Sequence, residues 1–142
     1  MKYIFLFYLL FLSHLFADIP IITNFDKAVD IAQKEKKYIF ADFTGSDWCI
    51  WCKKLKSEVV NIDEFEEFVA KNLIYLQFDF PKSVPQPKKV KEYNKSYLEL
   101  YGIQGFPTIL VLDKNGKLIG RTGYREGGVK AYIKHIEDIL NR

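Results

Sequence analysis

The chain has 142 residues, 49% of them hydrophobic, with 21 basic and 18 acidic side chains and a formal net charge of +3. That length accommodates one domain of ordinary size and excludes two, and the apolar fraction suffices for a globular core. The charges are too balanced, with lysines beside acidic residues in most segments, to indicate a nucleic-acid partner.

Residues 1–17, "MKYIFLFYLLFLSHLFA", read as a signal peptide: Lys2 supplies a positive start, residues 3–12 form an unbroken apolar run, and Ala17 ends a short tail. The run is shorter than the roughly 20 apolar residues that cross a bilayer. Leu15 departs from the small residue preferred two positions before the cleavage residue, so an uncleaved membrane anchor stands as the second reading. The expectation is export with cleavage after Ala17. The mature domain, 18–142, then carries 20 basic and 18 acidic residues, since Lys2 is the only charged residue of the leader.

Next, Thr23 and Asp26 make a capping-box-like pair, and Phe25, Ala28, Val29 and Ala32 follow at helical spacing. An amphipathic helix is expected over 24–36. "KYIFADF" (37–43) reads as a buried strand. The stretch "TGSDWCIWCKKL" opens a second helix, with Ser46 or Asp47 as its cap and Leu55 and Val59 inward. "IDEFEEFVAKN" presents Phe65, Phe68 and Val69 from a short helix, and "LIYLQFDF" (73–80) is another buried strand. "PKSVPQPKKVK" (81–91), with three prolines and four lysines, reads as a solvated loop; docking of an acidic partner is the lesser reading. "EYNKSYLELYG" is a helix stopped at Gly102, and its "NKS" matches a glycosylation sequon by chance. "PTILVLD" and "KLIGRTG" are strands joined through Asn115-Gly116. A last helix from Gly127 turns Val129, Tyr132, Ile133, Ile136, Ile139 and Leu140 inward. Strands separated by helices demand crossovers and a parallel core, while the hairpin adds antiparallel edges. The architecture expected is α/β, a mixed sheet sandwiched by helices.

Cys49 and Cys52 are the only cysteines. A bridge between residues three apart closes almost no loop, so it is a poor staple. Structural zinc wants four ligands, and the mature chain offers only Cys49, Cys52 and His135, the last between Lys134 and Asp138 on the polar side of its helix. No metal and no cofactor are expected. Cys49 falls where a strand ends and a helix begins; unpaired N–H groups and the helix dipole stabilise a thiolate there. Asp47 opposes this weakly if it points into solvent. Cys52 lies one turn further on, on the same face, which supplies an attacking thiolate and a resolving thiol. Trp48 and Trp51 shield the sulfurs and offer apolar contact to a protein substrate, with simple packing an equal reading for Trp51.

Three segments then carry a resemblance. "YIFADFTGSDWCIWCK" is similar to the strand-into-active-site segment of the thioredoxin family, "YGIQGFPT" to the stretch before its cis-proline, and "PTILVLDKNGKLIGRTGY" to its closing hairpin. Their order and spacing make the resemblance specific, and it runs from about Phe25 to the C-terminus. It is strongest to exported branches, including the C-terminal domain of membrane thiol-reductant conductors and small periplasmic thioredoxin-like proteins. The resemblance implies a thioredoxin-like fold, a mixed central sheet with helices on both faces. It implies Cys49 as the exposed nucleophile and Cys52 as the buried resolving thiol. Pro107 becomes the cis-proline facing the disulfide, with the Phe106 backbone pairing with an extended substrate. Asp42 becomes the buried carboxylate beneath the pair that takes the Cys52 proton. The chain departs from the family in having one more residue between Asp42 and Cys49, and no lysine at Leu76 or a neighbour, where the usual partner of that carboxylate falls. A buried, unpaired carboxylate has a raised pKa. Ile50-Trp51 lacks the histidine of oxidants and isomerases, which argues against a strong oxidant.

The function expected is that of a periplasmic, monomeric thiol–disulfide oxidoreductase. It reduces or isomerises disulfides of cysteine-containing exported proteins, apocytochromes being one option, through a mixed disulfide. Outside the cytoplasm a dithiol drifts to its oxidised form, so a reductive role implies a membrane electron donor. The alternative is a thioredoxin-fold binding or chaperone module without redox turnover; the intact CxxC and Gly-Phe-Pro favour the enzyme.

Overall fold

The computed structural model describes residues 18–142, so the expected signal peptide lies outside the described residues. Strand β1 (Ile21–Ile22) is followed by helix α1 (Phe25–Glu35) and strand β2 (Tyr38–Thr44). Helix α2 (Ile50–Leu55) runs directly into a π-helical turn, Lys56–Val60, and then come α3 (Asp63–Asn72) and β3 (Leu73–Asp79). Helix α4 (Lys88–Leu100), the hairpin β4 (Thr108–Leu112) and β5 (Leu118–Thr122), and α5 (Gly128–Leu140) complete the chain. The five strands form one sheet in the order β1-β3-β2-β4-β5. The pairs β1–β3 and β2–β3 are parallel, β2–β4 and β4–β5 antiparallel.

Each buried strand splits its side chains between the two faces, because successive residues of a strand point to opposite sides. Phe40 of β2, Tyr75 of β3 and Ile109 and Val111 of β4 meet Leu55, Val59, Phe65, Phe68, Val69, Tyr132, Ile136 and Ile139 from the α2–π–α3 segment and α5. On the opposite face, Ile39, Ala41, Phe43, Ile74, Leu76, Phe78, Leu110 and Leu112 pack with Ala28 and Ala32 of α1, and with Tyr93, Tyr97 and Leu98 of α4. Helices therefore cover both faces, as expected. The fully buried Phe40, Phe43, Phe65 and Phe78 each contribute about 1.5–3 kcal/mol of transfer free energy.

Several boundaries differ from expectation, each for a local reason. Asn24, not Thr23, caps α1: its side-chain oxygen accepts the Lys27 N–H at 2.8 Å. The helix begins at Phe25 and stops at Glu35, ended by Lys36 in the left-handed region at φ 55°. Strand β1 is too short, at two residues, to carry a periodicity in the sequence. The "loop" over 81–91 gives way to helix at Lys88, since proline suits the position just before a first turn, and the Val90 and Lys91 amides bond to the Pro87 carbonyl. The hairpin loop spans Asp113 to Lys117, with Asp113 Oδ1 accepting from the Asn115 and Lys117 amides and Gly116 at φ 81°. Among the described residues only β5 is an antiparallel edge; β4 lies inside the sheet. Asn94 of the sequon is buried, its amide donating to the Asp79 carbonyl at 2.9 Å.

Candidate active site

The parallel pair β2–β3 ends in two loops that meet above the sheet. After Thr44 the chain turns through Gly45, whose carbonyl accepts the Trp48 and Cys49 amides at 3.3 and 2.9 Å. Cys49 is the N-cap of α2, in extended conformation, and its carbonyl accepts the first helical bond from Lys53. Its Sγ accepts the Cys52 N–H at 3.2 Å. This is the helix-start position expected for a stabilised thiolate, and here the cysteine itself is the cap.

Neither Ser46 nor Asp47 caps this helix, which corrects the expectation. Ser46 bonds the Asp79 carboxylate through its amide at 3.0 Å and its hydroxyl at 2.6 Å, tying the turn to the end of β3. Asp47 accepts the amides of Lys82, Ser83 and Val84 at 2.7–2.9 Å instead of pointing free into solvent. Those three N–H groups favour its charged form and hold its pKa below the ordinary value.

Cys49 and Cys52 form a disulfide with Cα atoms 5.2 Å apart. Both residues are 5% exposed, so the expected contrast of an open Cys49 and a covered Cys52 is absent in this oxidised form. The surface is taken by their apolar neighbours: Trp48 is 37% exposed, Ile50 67% and Trp51 50%. Trp48 is fixed on three sides. Its indole N–H donates to the Phe80 carbonyl at 2.8 Å, its ring meets Phe106 edge-on at 5.8 Å, and the Lys82 ammonium lies 3.8 Å from the ring centre. A Cβ on Gly45 would stand 2.5 Å from the indole, so glycine is required for this close approach. Trp51 instead lies against Tyr124 at 5.4 Å, with Lys54 5.3 Å from each ring.

The Phe106-Pro107 peptide is cis, as the resemblance implied. Phe106 packs on both Trp48 and Phe80, which joins the loop before β4 to the cysteine turn. The Pro107 carbonyl runs so close to Gly123 that a Cβ there would stand 2.9 Å from it.

Beneath the pair is a cavity of about 260 Å³ whose lining includes Cys52, Asp42, Tyr75, Lys56 and Glu66. Asp42 is buried, despite the longer connection to Cys49. The Tyr75 hydroxyl donates to its Oδ2 at 2.5 Å, while Oδ1 has no partner among the described residues. Burial pushes the Asp42 carboxyl up to about 6; the Tyr75 hydrogen bond opposes this, nearby Asp79 adds to it and Lys56 lowers it. The partner to Asp42 is thus a tyrosine, at a neighbour of Leu76, where the family's lysine is expected to fall and this chain has none. Strand parity explains it. Asp42 pairs with Gln77 and Phe40 with Tyr75, so Tyr75 shares the face of Asp42 while Leu76 points to the other. Cys52 Sγ accepts the Gly45 N–H at 3.5 Å.

His135 is corrected from a solvent-facing position. It is half-buried at the border of the inward stripe of α5, with Nε2 2.8 Å from the Thr122 hydroxyl and its ring against Tyr132, and burial lowers its pKa.

Residues 25–137 match the thioredoxin-like domain. The chain belongs to that family. It is 32% identical over 117 residues to the disulfide bond reductase DsbH of Chlamydia pneumoniae, covering 82% of this chain and 70% of that protein. A solved structure of a DsbH oxidoreductase superposes with a TM-score of 0.82 at 30% identity, over 88% of this chain and 86% of the other. The thiol:disulfide interchange protein DsbD of Haemophilus influenzae (strain PittGG) is 28% identical over 98 residues, 67% of this chain but 15% of DsbD. The oxidised C-terminal domain of Neisseria meningitidis DsbD, at 23% identity, shares the fold with a TM-score of 0.58, covering 84% of this chain and 98% of that domain. The protein is thus homologous to thiol–disulfide oxidoreductases, carries their CxxC pair on the fold's helix start, and is an enzyme of that class.

Proposed function

We propose that the protein is exported to the periplasm, by way of residues 1–17, and there reduces disulfides in other exported proteins. The observation that carries the reading is the asymmetric seat of the pair: Cys49 caps a helix start, while Cys52 lines a cavity with a buried carboxylate. In the dithiol form, the Cys49 thiolate attacks a substrate disulfide. One substrate sulfur leaves as a thiolate and the other becomes bonded to Cys49. Cys52 then gives its proton to Asp42, and its thiolate attacks Cys49 Sγ; the mixed disulfide breaks and the Cys49–Cys52 bond forms. Two electrons pass to the substrate, and a dithiol donor, which we assign to a membrane partner, must restore the enzyme. Trp48, Ile50 and Phe106 supply the apolar surface for an extended substrate beside Pro107. The name of the DsbH relative supports reduction over oxidation, as does the dipeptide Ile50-Trp51, which brings no cation to Cys49.

The test has two arms. Equilibration with dithiothreitol buffers is expected to yield a potential near or below about −250 mV; one near about −120 mV marks a disulfide donor and overturns the proposed direction. Cys52→Ser is expected to accumulate a mixed disulfide with exported proteins through Cys49. Absence of any exchange would assign the chain to the binding-module alternative.

A further inference from the structure

We propose that Tyr75 is a positioning residue for the resolving step: its hydroxyl holds Asp42 by Oδ2 and so reserves Oδ1 as the oxygen that exchanges a proton with Cys52. This inference rests on the oxidoreductase reading and adds to it a residue and a division of labour between two oxygens.

Tyr75 is itself buried, and its phenol donates to Asp42 at 2.5 Å, the length of a hydrogen bond to an ionised acceptor. Burial, with Asp42 as its neighbour, raises the Tyr75 pKa well above its ordinary value, so the phenol remains a donor at every pH at which the enzyme works. A carboxyl group can accept at one oxygen while the other is ionised or protonated. The Tyr75 bond is therefore compatible with both states of Asp42, and the proton that comes and goes is confined to Oδ1. That oxygen is buried, and unpartnered among the described residues, in a group that lines the same cavity as Cys52. An orphaned buried acceptor costs free energy, and a disulfide gives it nothing to accept; once the pair is reduced, the Cys52 thiol supplies a donor.

The balance of the step is complete with these groups. The Cys52 S–H bond breaks and its proton goes to Asp42 Oδ1. The Cys52 thiolate attacks Cys49 Sγ, and the substrate sulfur departs with the electron pair of the broken bond and is protonated from water. Asp42 returns its proton through the cavity, which carries Lys53, Lys56 and Glu66 from α2, the π turn and α3, and Asp18 from the segment before β1. The other charged or titratable groups acting on Asp42 are Asp79 of β3 and Tyr132 of α5.

Tyr75→Phe removes the hydroxyl and keeps the ring against Phe40, 5.4 Å away. Without its donor, ionised Asp42 is less favoured. The acid limb of the resolving rate, measured as breakdown of a preformed mixed disulfide, is expected to move up by about one pH unit, a loss of about tenfold below the limb. Formation of the mixed disulfide, followed in the Cys52→Ser background, keeps its pH dependence. In an Asp42→Asn background, Tyr75→Phe should add no further change to the resolving profile. In parallel, a carbon-13 titration of the Asp42 carboxyl in the oxidised protein reads the upward move without any turnover. An unmoved carboxyl titration, or equal slowing of both steps, overturns the role of Tyr75. If Asp42→Asn itself leaves the resolving profile intact, both the role of Tyr75 and the proton transfer to Asp42 fail. If Cys49 forms no mixed disulfide at all, the oxidoreductase reading falls, and this proposal with it.

Discussion

The burial of Asp42 makes a prediction about stability that is independent of redox chemistry. Folded, the carboxyl titrates at about 6, against 3.8 in the unfolded chain. The folded state is the more protonated one between those values, so stability falls as pH rises through that window. At about 1.4 kcal/mol per pH unit the ionised carboxylate costs about 3 kcal/mol at neutral pH. Asp42→Asn removes that cost. Its amide oxygen still accepts from Tyr75, but its NH2 meets the site where Oδ1 has no partner, and an unpaired buried donor costs about 1 kcal/mol. The oxidised variant is therefore expected to be about 2 kcal/mol more stable than the parent at pH 7.5, and about 1 kcal/mol less stable below pH 4, with the two curves crossing between roughly pH 4 and 5. Urea unfolding of both oxidised proteins from pH 3.5 to 8 measures this directly. A difference that does not change with pH, or a parent more stable than the variant at pH 7.5, would refute a buried, high-titrating Asp42.

Three further outcomes follow from contacts around the pair. Gly45→Ala should displace the Trp48 indole from Phe106 and from the Phe80 carbonyl, costing about 1–3 kcal/mol and shifting tryptophan fluorescence to the red; unchanged fluorescence would mean the close approach is absent. Asp47→Ala should speed amide exchange at Lys82, Ser83 and Val84 above all other sites. In the parent the same loosening should appear only below the ordinary aspartate pKa, because that carboxyl is held ionised there. Asn94→Ala removes one of two side-chain donors to the Asp79 carbonyl, the other being Gln86, and should cost about 1 kcal/mol in denaturant midpoint; a loss above about 3 kcal/mol would point to a wider role for Asn94.

What was legible in the sequence depended on the range of the interaction. The long buried strands β2 and β3, the inward stripe of α5 and the cysteine-bearing helix start are local patterns, and they appear within a residue or two of expectation. Asn24 displaced Thr23 as a cap because neighbouring polar residues compete for one position, and spacing alone does not choose between them. Asp47 and Ser46 looked like caps for the same reason. Their partners, the amides of 82–84 and the Asp79 carboxylate, are more than thirty residues away and come near only through the β2–β3 pairing. Tyr75 is implicit in the period-two alternation, but only with the register in hand: counting from Asp42 across the parallel pairing puts Tyr75, and not Leu76, on the carboxylate's face.

The equal burial of Cys49 and Cys52 as residues in the oxidised form bears on how such a pair can have a direction. Residue exposure in the oxidised form does not distinguish Cys49 from Cys52, but their electrostatic surroundings do. Cys49 is the cap of a helix start, where the unpaired amides favour negative charge, and its Sγ already accepts one of them. Cys52 lines the cavity of Asp42, and above about pH 6 that carboxylate is ionised. On the proposed mechanism, a second negative charge at Cys52 is then disfavoured, which favours keeping the proton of the reduced pair on Cys52 and the charge on Cys49. When Cys49 is consumed in a mixed disulfide its charge is gone, and proton transfer from Cys52 to Asp42 no longer places two negative charges together. On the proposed mechanism, the same carboxylate keeps Cys52 protonated while Cys49 waits for a substrate, and accepts its proton once a substrate has bonded.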